Sequence, residues 1–321
     1  MLAGLLAALG AGLLWGLVFV VPLMLAEYPG VVLAFGRYVA FGVLAVGLAW
    51  VDRAALARLT RADWIEAAKL ALVGNLIYYS TLASAIQLAG APVPTLMIGT
   101  LPVVIAVTAN LLDRRVGGDE GVPWRRLAAP LVVIAAGLAA VQFGPAHVES
   151  VPDASGGVRY AAGLALALVA VASWTWYPIR NGRWLRARSP GLARVWATAQ
   201  GLVTLPLALA AAAGFALWDF AAAPPGAGFD WPFGPRPLAF VGLMLATGLA
   251  ASWLGTLLWN RASQALPAAF VGQLIVFETL AALAYAFLWY RRWPTLAEAA
   301  GIALLVAGVL LGVRAFRPRS R

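Results

Sequence analysis

The chain has 321 residues, of which 63% are hydrophobic and 11% are charged. Soluble domains carry about 25% charged residues, so this composition indicates a polytopic helical protein embedded in the lipid bilayer. The net charge of +10 does not indicate a nucleic-acid partner, because the arginines lie between apolar runs, and the lack of cysteine with a single histidine, His147, excludes thiol chemistry and a histidine metal site.

Apolar runs long enough to cross a bilayer, which takes about 20 helical residues, recur along the whole chain. The first run lacks a basic n-region and is too long for a signal peptide, so we interpret it as a membrane span. Segments 144–157 and 218–237 are rich in Pro, Gly and Asp and predict surface loops. The ten predicted spans are residues 2–25, 31–50, 68–89, 92–112, 127–143, 158–178, 194–217, 239–259, 268–289 and 295–315.

The basic residues predict how these spans are oriented. With the N-terminus in the cytoplasm, 18 of the 23 Lys and Arg residues fall in inside segments, whereas 4 (Arg159, Arg236, Arg291 and Arg292) fall in outside segments. Positive charge is enriched on the cytoplasmic side of membrane proteins, so this asymmetry predicts that both termini are cytoplasmic. The remaining basic residue, Arg37, lies inside the second span.

Ten spans divide into two sets of five, and an odd number per set predicts that the two halves enter the membrane in opposite directions. Trp15 and Pro22 in the first span correspond to Trp174 and Pro178 in the sixth. Inverted repeats are typical of transporters, with the site at mid-membrane on the repeat interface. The alternative is a duplicated scaffold without transport. The two predicted domains are residues 1–150 and 151–321.

Five of the predicted spans carry aromatic or amide side chains that can line such a site. Asn75, Tyr78 and Tyr79 share one helix face, because their spacing is i, i+3 and i+4. A packed hydrogen-bonded network between helices is the alternative role. In the eighth span Trp253 is the deeper tryptophan, while an interfacial role competes for Trp259. The candidates for substrate contact are Trp15, Phe19, Asn75, Tyr78, Tyr79, Trp174, Tyr177, Trp253 and Gln273.

Two charged residues, Arg37 and Glu278, lie well inside the predicted spans, away from the span ends. Glu278 is the only charge between Pro267 and Arg291, and an unpaired carboxylate at mid-membrane depth costs at least several kcal/mol. Such a group faces a cavity, finds a partner or stays protonated. Arg37 is a counter-ion for Glu278 or for a substrate carboxylate, unless it extends to the outer interface. We hypothesise that Glu278 couples proton entry to substrate exit.

Prolines inside membrane helices free a backbone carbonyl and can kink the helix. Such kinks would suit helices that open and close around a cavity. Ordinary tolerance of proline in membrane helices is the alternative. The candidate hinges are Pro22, Pro102, Pro178 and Pro206.

The arrangement resembles the tandem EamA domains of the drug/metabolite transporter superfamily. The resemblance rests on the paired spans that begin at prolines and on two stretches, SWTWYPIRNGRW (173–184) and GLAASWLGTLLWNRASQALPAAFVGQ (248–273), which are most similar to YddG-type amino acid exporters. One departure concerns the end of the fourth span in each half, where these domains commonly have Gly-Glu-Arg. This chain has LLDRR and WYRR at these positions. A role assigned to that glutamate in the family therefore does not carry over to this chain.

The resemblance implies alternating-access export of amino acids or related small metabolites across the bacterial inner membrane. Aromatic amino acids, threonine and methionine are the substrates to test first. Export of drugs or other metabolites is the alternative. A membrane enzyme is disfavoured, because catalysis at depth needs clustered Asp, His, Ser or Lys, and a channel would need a pore lined by charges or carbonyls. We expect no cofactor. The sequence does not decide between a monomer and a dimer.

Overall fold

A computed structural model of the protein describes residues 1–25, 27–89, 97–117, 123–142, 157–222 and 228–316. Within these ranges every regular element is a helix. The helices, numbered in chain order, are α1 (Leu2–Phe19), α2 (Gly30–Leu56), α3 (61–89), α4 (Leu101–Gly117), α5 (Trp124–Gln142), α6 (Gly157–Arg186), α7 (Ala193–Ala222), α8 (Pro237–Ala265), α9 (Ala268–Tyr290) and α10 (Leu296–Phe316).

Seven of the described helices are long and apolar enough to cross a membrane, namely α1, α2 and α6 to α10. Helix α4 is apolar but shorter, over Leu101–Asp113, and the predicted beginning of its span at 92–96 lies outside the described residues. Helix α3 begins with the polar segment Arg61–Ala71, and α5 begins with Trp124 followed by two arginines. The helical membrane architecture is confirmed, while the count of ten spans stays a prediction.

Several helices extend beyond the predicted spans, and α6 and α7 do so by five or more residues at their C-terminal ends. Helix α6 continues from 178 to Arg186, and α7 continues to Ala222, so the prediction of a loop at 218–222 is wrong. The segment before Ala222 is rich in alanine, the best helix former. Trp218 and Phe220 are exposed there, as expected for apolar side chains on a membrane-facing helix end. The predicted loop at 144–156 lies outside the described residues.

Four helices contain irregular turns. Helix α3 has a π-helical turn at Leu72–Ile77, and α8 has one at Gly248–Leu254. Helix α1 tightens to a 3-10 turn at Leu17–Phe19, and α9 is interrupted at Ile275. A π turn inserts a residue and a 3-10 turn removes part of one, so each changes which side chains share a face beyond it.

Three pairs of packed helices have numbers that differ by five, and two further pairs correspond to each other. Helix α2 packs mainly on α7, α5 on α10, and α4 on α9, while the contact of α3 with α6 has its counterpart in the contact of α1 with α8. Small residues allow this close approach. A Cβ atom at Gly42 would meet Leu205 of α7 at 2.4 Å, and one at Gly308 would meet Ile134 of α5 at 2.5 Å.

Ion pairs join helix ends at one end of the bundle, which we call the basic end. Each of the four pairs joins an arginine of the second half (151–321) to a carboxylate of the first half (1–150). The start of α1 lies at the same end, because a Cβ atom at Gly4 would meet Leu266 at 2.8 Å. The pairs are Arg180–Glu66, Arg183–Asp113, Arg188–Asp63 and Arg194–Asp52.

The opposite end has its own connection between the two halves. The hydroxyl of Tyr28 donates to the carbonyl of Phe233 at 2.8 Å, and Arg236 pairs with Glu27. The Tyr28 ring stacks on Phe240 with centroids 5.1 Å apart. The two halves are therefore in contact at both ends of the bundle.

Candidate functional site

Five aromatic side chains from α1, α3, α6 and α8 meet near the middle of the bundle, and we call them the aromatic cluster. Trp174 stacks between Tyr78 and Tyr177, with ring centroids 4.6 and 5.2 Å away. Trp15 contacts Trp174 edge to face at 5.8 Å and Trp259 at 5.1 Å. Helices of both halves contribute, so the cluster lies where the halves meet.

Hydrogen-bonding groups of α8 border the aromatic cluster. The Trp15 indole donates to the carbonyl of Ala251 at 2.9 Å, in the π turn. The buried Oγ of Ser252 and the Nε1 of Trp259 have no hydrogen-bond partner among the described residues. Buried polar groups are nearly always paired, so these two groups are suited to bind a polar group of a small molecule or a water.

Buried amides connect α6, α7 and α8 between the aromatic cluster and the basic end. The Tyr177 hydroxyl donates to Oε1 of Gln200 at 2.9 Å, and Gln200 donates to Oδ1 of Asn181 at 3.1 Å. Asn181 in turn donates to Oδ1 of Asn260 at 2.8 Å, and the Trp196 indole donates to Asn181 at 2.8 Å. Asn181 and Asn260 are fully buried. This amide network joins α6, α7 and α8 next to the aromatic cluster, through the Tyr177 hydroxyl.

Arg37 contacts two tyrosine side chains, Tyr38 and Tyr79. Its guanidinium donates to the Tyr38 hydroxyl at 2.7 Å and lies 4.6 Å from the Tyr38 ring centroid and 5.4 Å from that of Tyr79. Its Nε is buried and has no partner among the described residues. This Nε can donate to an anion, and the roles of Arg37 as a counter-ion or as an interfacial residue stay predictions.

Glu278 lies in the first turn of the α9 segment that begins after the interruption at Ile275, and its backbone N–H donates to the Ile275 carbonyl at 2.9 Å. Carboxylates are favoured there, because the helix start carries a partial positive charge. Its side chain is half-buried and makes no ion pair with the described residues. Glu278 and Arg37 both lie within electrostatic range of the Tyr78 hydroxyl.

Four predicted site residues lie away from the aromatic cluster. Asn75 donates to Thr204 of α7 at 3.2 Å, and Trp253 donates to Thr198 of α7 at 3.2 Å. Phe19 lies in the 3-10 turn of α1 and is 41% exposed.

Gln273 is fully buried, and both polar atoms of its side chain lack a partner among the described residues. Its Oε1 would lie 2.4 Å from a Cβ atom at Gly312, so Gln273 faces α10. The structure thus brings together four of the nine predicted residues, Trp15, Tyr78, Trp174 and Tyr177. Tyr79 contacts Tyr38 and Arg37 instead. The other four, Asn75, Phe19, Trp253 and Gln273, are not part of the aromatic cluster.

The four candidate hinge prolines occupy different settings. Pro178 and Pro206 lie within α6 and α7, which are helical on both sides of them. Pro102 is the second residue of α4 and follows a turn at Thr100, and Pro22 lies in the short helix Val21–Met24 after the 3-10 turn of α1. Breaks in the helices therefore accompany Pro22 and Pro102, whereas the role of all four as hinges stays a prediction.

Sequence reasoning missed Trp259, Gln200 and Asn181. Helical spacing gives a signal for two of them, because Asn181 is four residues after Tyr177 and Gln200 four after Trp196, so each pair shares a face. For Trp259 an interfacial role competes, because it is near the predicted end of the span, but its side chain is 1% exposed. The helix continues to Ala265, which places Trp259 deeper than predicted.

Comparison with known proteins identifies the family. The model of the EamA-like transporter family matches residues 2–117. The inner membrane protein YtfF of Escherichia coli (strain K12) is 49% identical over 315 residues, which cover 98% of this chain and 96% of that protein. The chain belongs to the EamA-like transporter family.

A solved crystal structure aligns with 97% of the chain and 96% of its own length, with a TM-score of 0.69 and 19% sequence identity. At this identity the likeness shows the fold alone. EamA membership and the likeness to YtfF make the chain a membrane transporter of the drug/metabolite superfamily and a multi-pass protein of the bacterial inner membrane. They indicate a transporter rather than an enzyme.

Proposed function

We propose that the protein exports amino acids and related small metabolites from the cytoplasm by alternating access. A free amino acid presents a carboxylate, an ammonium group and a side chain that is often apolar. Arg37 offers an unpaired Nε for the carboxylate, Glu278 a carboxylate for the ammonium group, and the aromatic cluster an apolar wall. The observation that carries the proposal is that Arg37 and Glu278 both lie within electrostatic range of Tyr78 and form no ion pair with each other.

The helix pairing supports an inverted repeat of two five-helix halves. A two-fold relation that exchanges helices numbered five apart maps the pairs α2–α7, α4–α9 and α5–α10 onto themselves and the pair α3–α6 onto α8–α1. The π turns fall in α3 and α8, which are equivalent under this relation. Alternating access in such folds moves one half against the other around a fixed site.

Transport assays with matched substrates test the proposal. Proteoliposomes would be loaded with phenylalanine, with phenylethylamine, which lacks the carboxylate, or with 3-phenylpropionate, which lacks the ammonium group. We expect phenylalanine to leave fastest, and threonine and methionine to follow it. Arg37→Gln should slow phenylalanine efflux but not phenylethylamine efflux. Efflux of cationic dyes without efflux of any amino acid would contradict the proposal and favour a drug exporter.

Proton coupling through Glu278 is a separate part of the proposal. The carboxylate is half-buried and has no ion-pair partner among the described residues, so proton binding would change its interaction with a substrate ammonium group. Glu278→Gln should make efflux independent of an imposed pH gradient. Efflux by the variant that still responds to the gradient as the wild type does would show that Glu278 is not the coupling group.

Cysteine labelling tests the proposed orientation, in which the basic end faces the cytoplasm. The chain contains no cysteine, so one introduced thiol is the only target. Ser189→Cys at the basic end should react with an impermeant maleimide in inside-out vesicles, and Asp230→Cys at the opposite end in right-side-out vesicles. The reverse pattern would overturn the orientation.

A further inference from the structure

A cavity at the basic end has no part in the aromatic cluster. It lies between the start of α1, the end of α6 and the end of α8, and has a volume of about 920 Å³. Leu6 and Ala7 give it an apolar wall, and Arg186, Arg188 and Arg261 line the polar side. The cavity is thus apolar on α1 and cationic on α6 and α8.

The three arginines leave this cavity with an excess of positive charge. Arg188 pairs with Asp63 and lies 3.9 Å from the ring centroid of Trp184. Arg186 donates to the carbonyl of Ser263 at 3.2 Å. No carboxylate of the described residues forms an ion pair with Arg186 or with Arg261. Two guanidinium groups are therefore free to bind an anion, and arginine binds phosphate in a bidentate manner.

An apolar stripe leads from the cavity along the outside of α1. Leu2, Leu6, Leu9 and Leu13 follow one helix face and are 69, 57, 38 and 45% exposed. In a membrane this stripe contacts acyl chains. Leu6 belongs to both the stripe and the cavity, so a molecule with an anionic head and apolar tails can contact both at once.

We propose that this cavity binds the phosphate group of an acidic phospholipid, whose acyl chain lies along the leucine stripe of α1. Charge complementarity favours an acidic lipid over a zwitterionic one, and the cytoplasmic leaflet carries the acidic lipids that arginine clusters attract. The stripe favours a lipid over a soluble anion, which would make no use of it. The choice of leaflet rests on the orientation proposed above, whereas binding itself does not depend on transport.

Lipid retention on the purified protein tests this site. The protein in neutral detergent would be titrated with phosphatidylglycerol or phosphatidylcholine, and bound lipid counted by native mass spectrometry. We expect saturable retention of phosphatidylglycerol only. Each guanidinium near a membrane surface changes lipid affinity by about fivefold. Arg261→Gln should therefore weaken retention about fivefold, and the double variant with Arg186→Gln about 25-fold.

Controls separate this site from general charge and from free phosphate. Arg125→Gln removes an exposed arginine from the start of α5 and should leave retention unchanged, while Leu6→Ser should weaken it. Equal losses in Arg125→Gln and Arg261→Gln, or full retention in the double variant, would overturn the proposal. Displacement of the lipid by millimolar inorganic phosphate would show a soluble-anion site instead. Arg261 is exposed, so its variant folds, and no readout uses transport.

Discussion

Two tryptophans of α8 have different neighbours, and this difference predicts different effects on transport. Trp259 contacts Trp15 in the aromatic cluster, whereas Trp253 donates to Thr198 on α7. An aromatic pair contributes about 0.5–1.5 kcal/mol, which corresponds to about two- to thirteenfold in rate. We expect Trp259→Leu to lower the initial efflux rate by this factor and Trp253→Leu to lower it less than twofold. Equal effects of the two variants would contradict the assigned site.

Gly74 allows α3 to approach α6 closely. A Cβ atom at Gly74 would lie 2.2 Å from Cδ2 of Tyr177, whereas one at Gly47 of α2 would meet nothing within 4 Å. Gly74→Ala should displace the Tyr177 ring, with a loss of about 1–3 kcal/mol in the free energy of unfolding. Gly47→Ala, the matched control, should gain up to about 1 kcal/mol, because alanine favours a helix. Denaturation in mild detergent measures both, and a neutral Gly74→Ala would refute the close contact.

At the scale of elements, Asp63 stabilises the start of α3. Thr60 and Asp63 form a capping box, and the Asp63 carboxylate also accepts from the Trp184 indole at 3.1 Å and pairs with Arg188. Burial acts to raise the pKa of Asp63, but the hydrogen bonds from Thr60 and the charge of Arg188 outweigh it, so the pKa is lowered. Asp63 precedes the predicted span 68–89 and thus titrates outside the membrane.

Asp63→Asn should therefore lower the free energy of unfolding by about 1–2 kcal/mol at pH 7. A lowered folded-state pKa gives stability that is present above the unfolded value of about 3.9 and is lost as the pH falls through the folded value. The difference between wild type and variant should stay constant from pH 7 to pH 5 and close below about pH 4. Asp230→Asn, in an exposed loop, serves as the control. A difference that closes near pH 6 would rule out Asp63 as the cause.

The irregular turns explain which residues the helical periodicity misplaced. Asn75 lies within the π turn of α3 and Tyr78 lies after it, so the assumed common face with Tyr78 and Tyr79 is not kept. Trp253 lies within the π turn of α8 and Trp259 beyond it. Phe19 lies at the end of a 3-10 turn. Each turn changes the angle between successive side chains, which regular spacing of about 3.6 residues cannot anticipate.

At the scale of the whole molecule, four ion pairs join the two halves at the basic end. Arg180 and Arg194 are about half exposed, at 51 and 52% of their side chains, so each pair contributes only about 0.5–1 kcal/mol after screening by water. Removal of two pairs by Asp52→Asn with Glu66→Gln should shift the population toward opening at this end by about 5- to 30-fold.

A cysteine at the buried position Ser252, which follows the Trp15 partner Ala251 in the chain, reports this shift, because the chain has no other thiol. The double variant should raise its labelling rate from the basic end, whereas Glu27→Gln, which removes the Arg236 pair at the opposite end, should raise labelling from that end instead. Labelling that rises equally from both ends would indicate general loosening and contradict two separate closures.

The sequence by itself determined the membrane class, the helical architecture and the charged residues at depth. Apolar runs and scarce charges suffice for the first two, because a bilayer imposes length and composition on every span. Arg37 and Glu278 stand out because charges are costly there. Trp15, Trp174 and Tyr177 were also predicted together, since each lies in regular helix on the predicted face.

Only the tertiary structure decided which polar groups meet. The amide network joins Asn181, Gln200 and Asn260 from three helices, and the arginines of the basic end each select an acid more than 60 residues away in the chain. Helical periodicity gives the face of each residue relative to its own helix, whereas these contacts depend on the rotation and neighbour of every helix. The π turns change the direction in which later side chains of the same helix point. Packing between the two halves determines which helix lies next to each face.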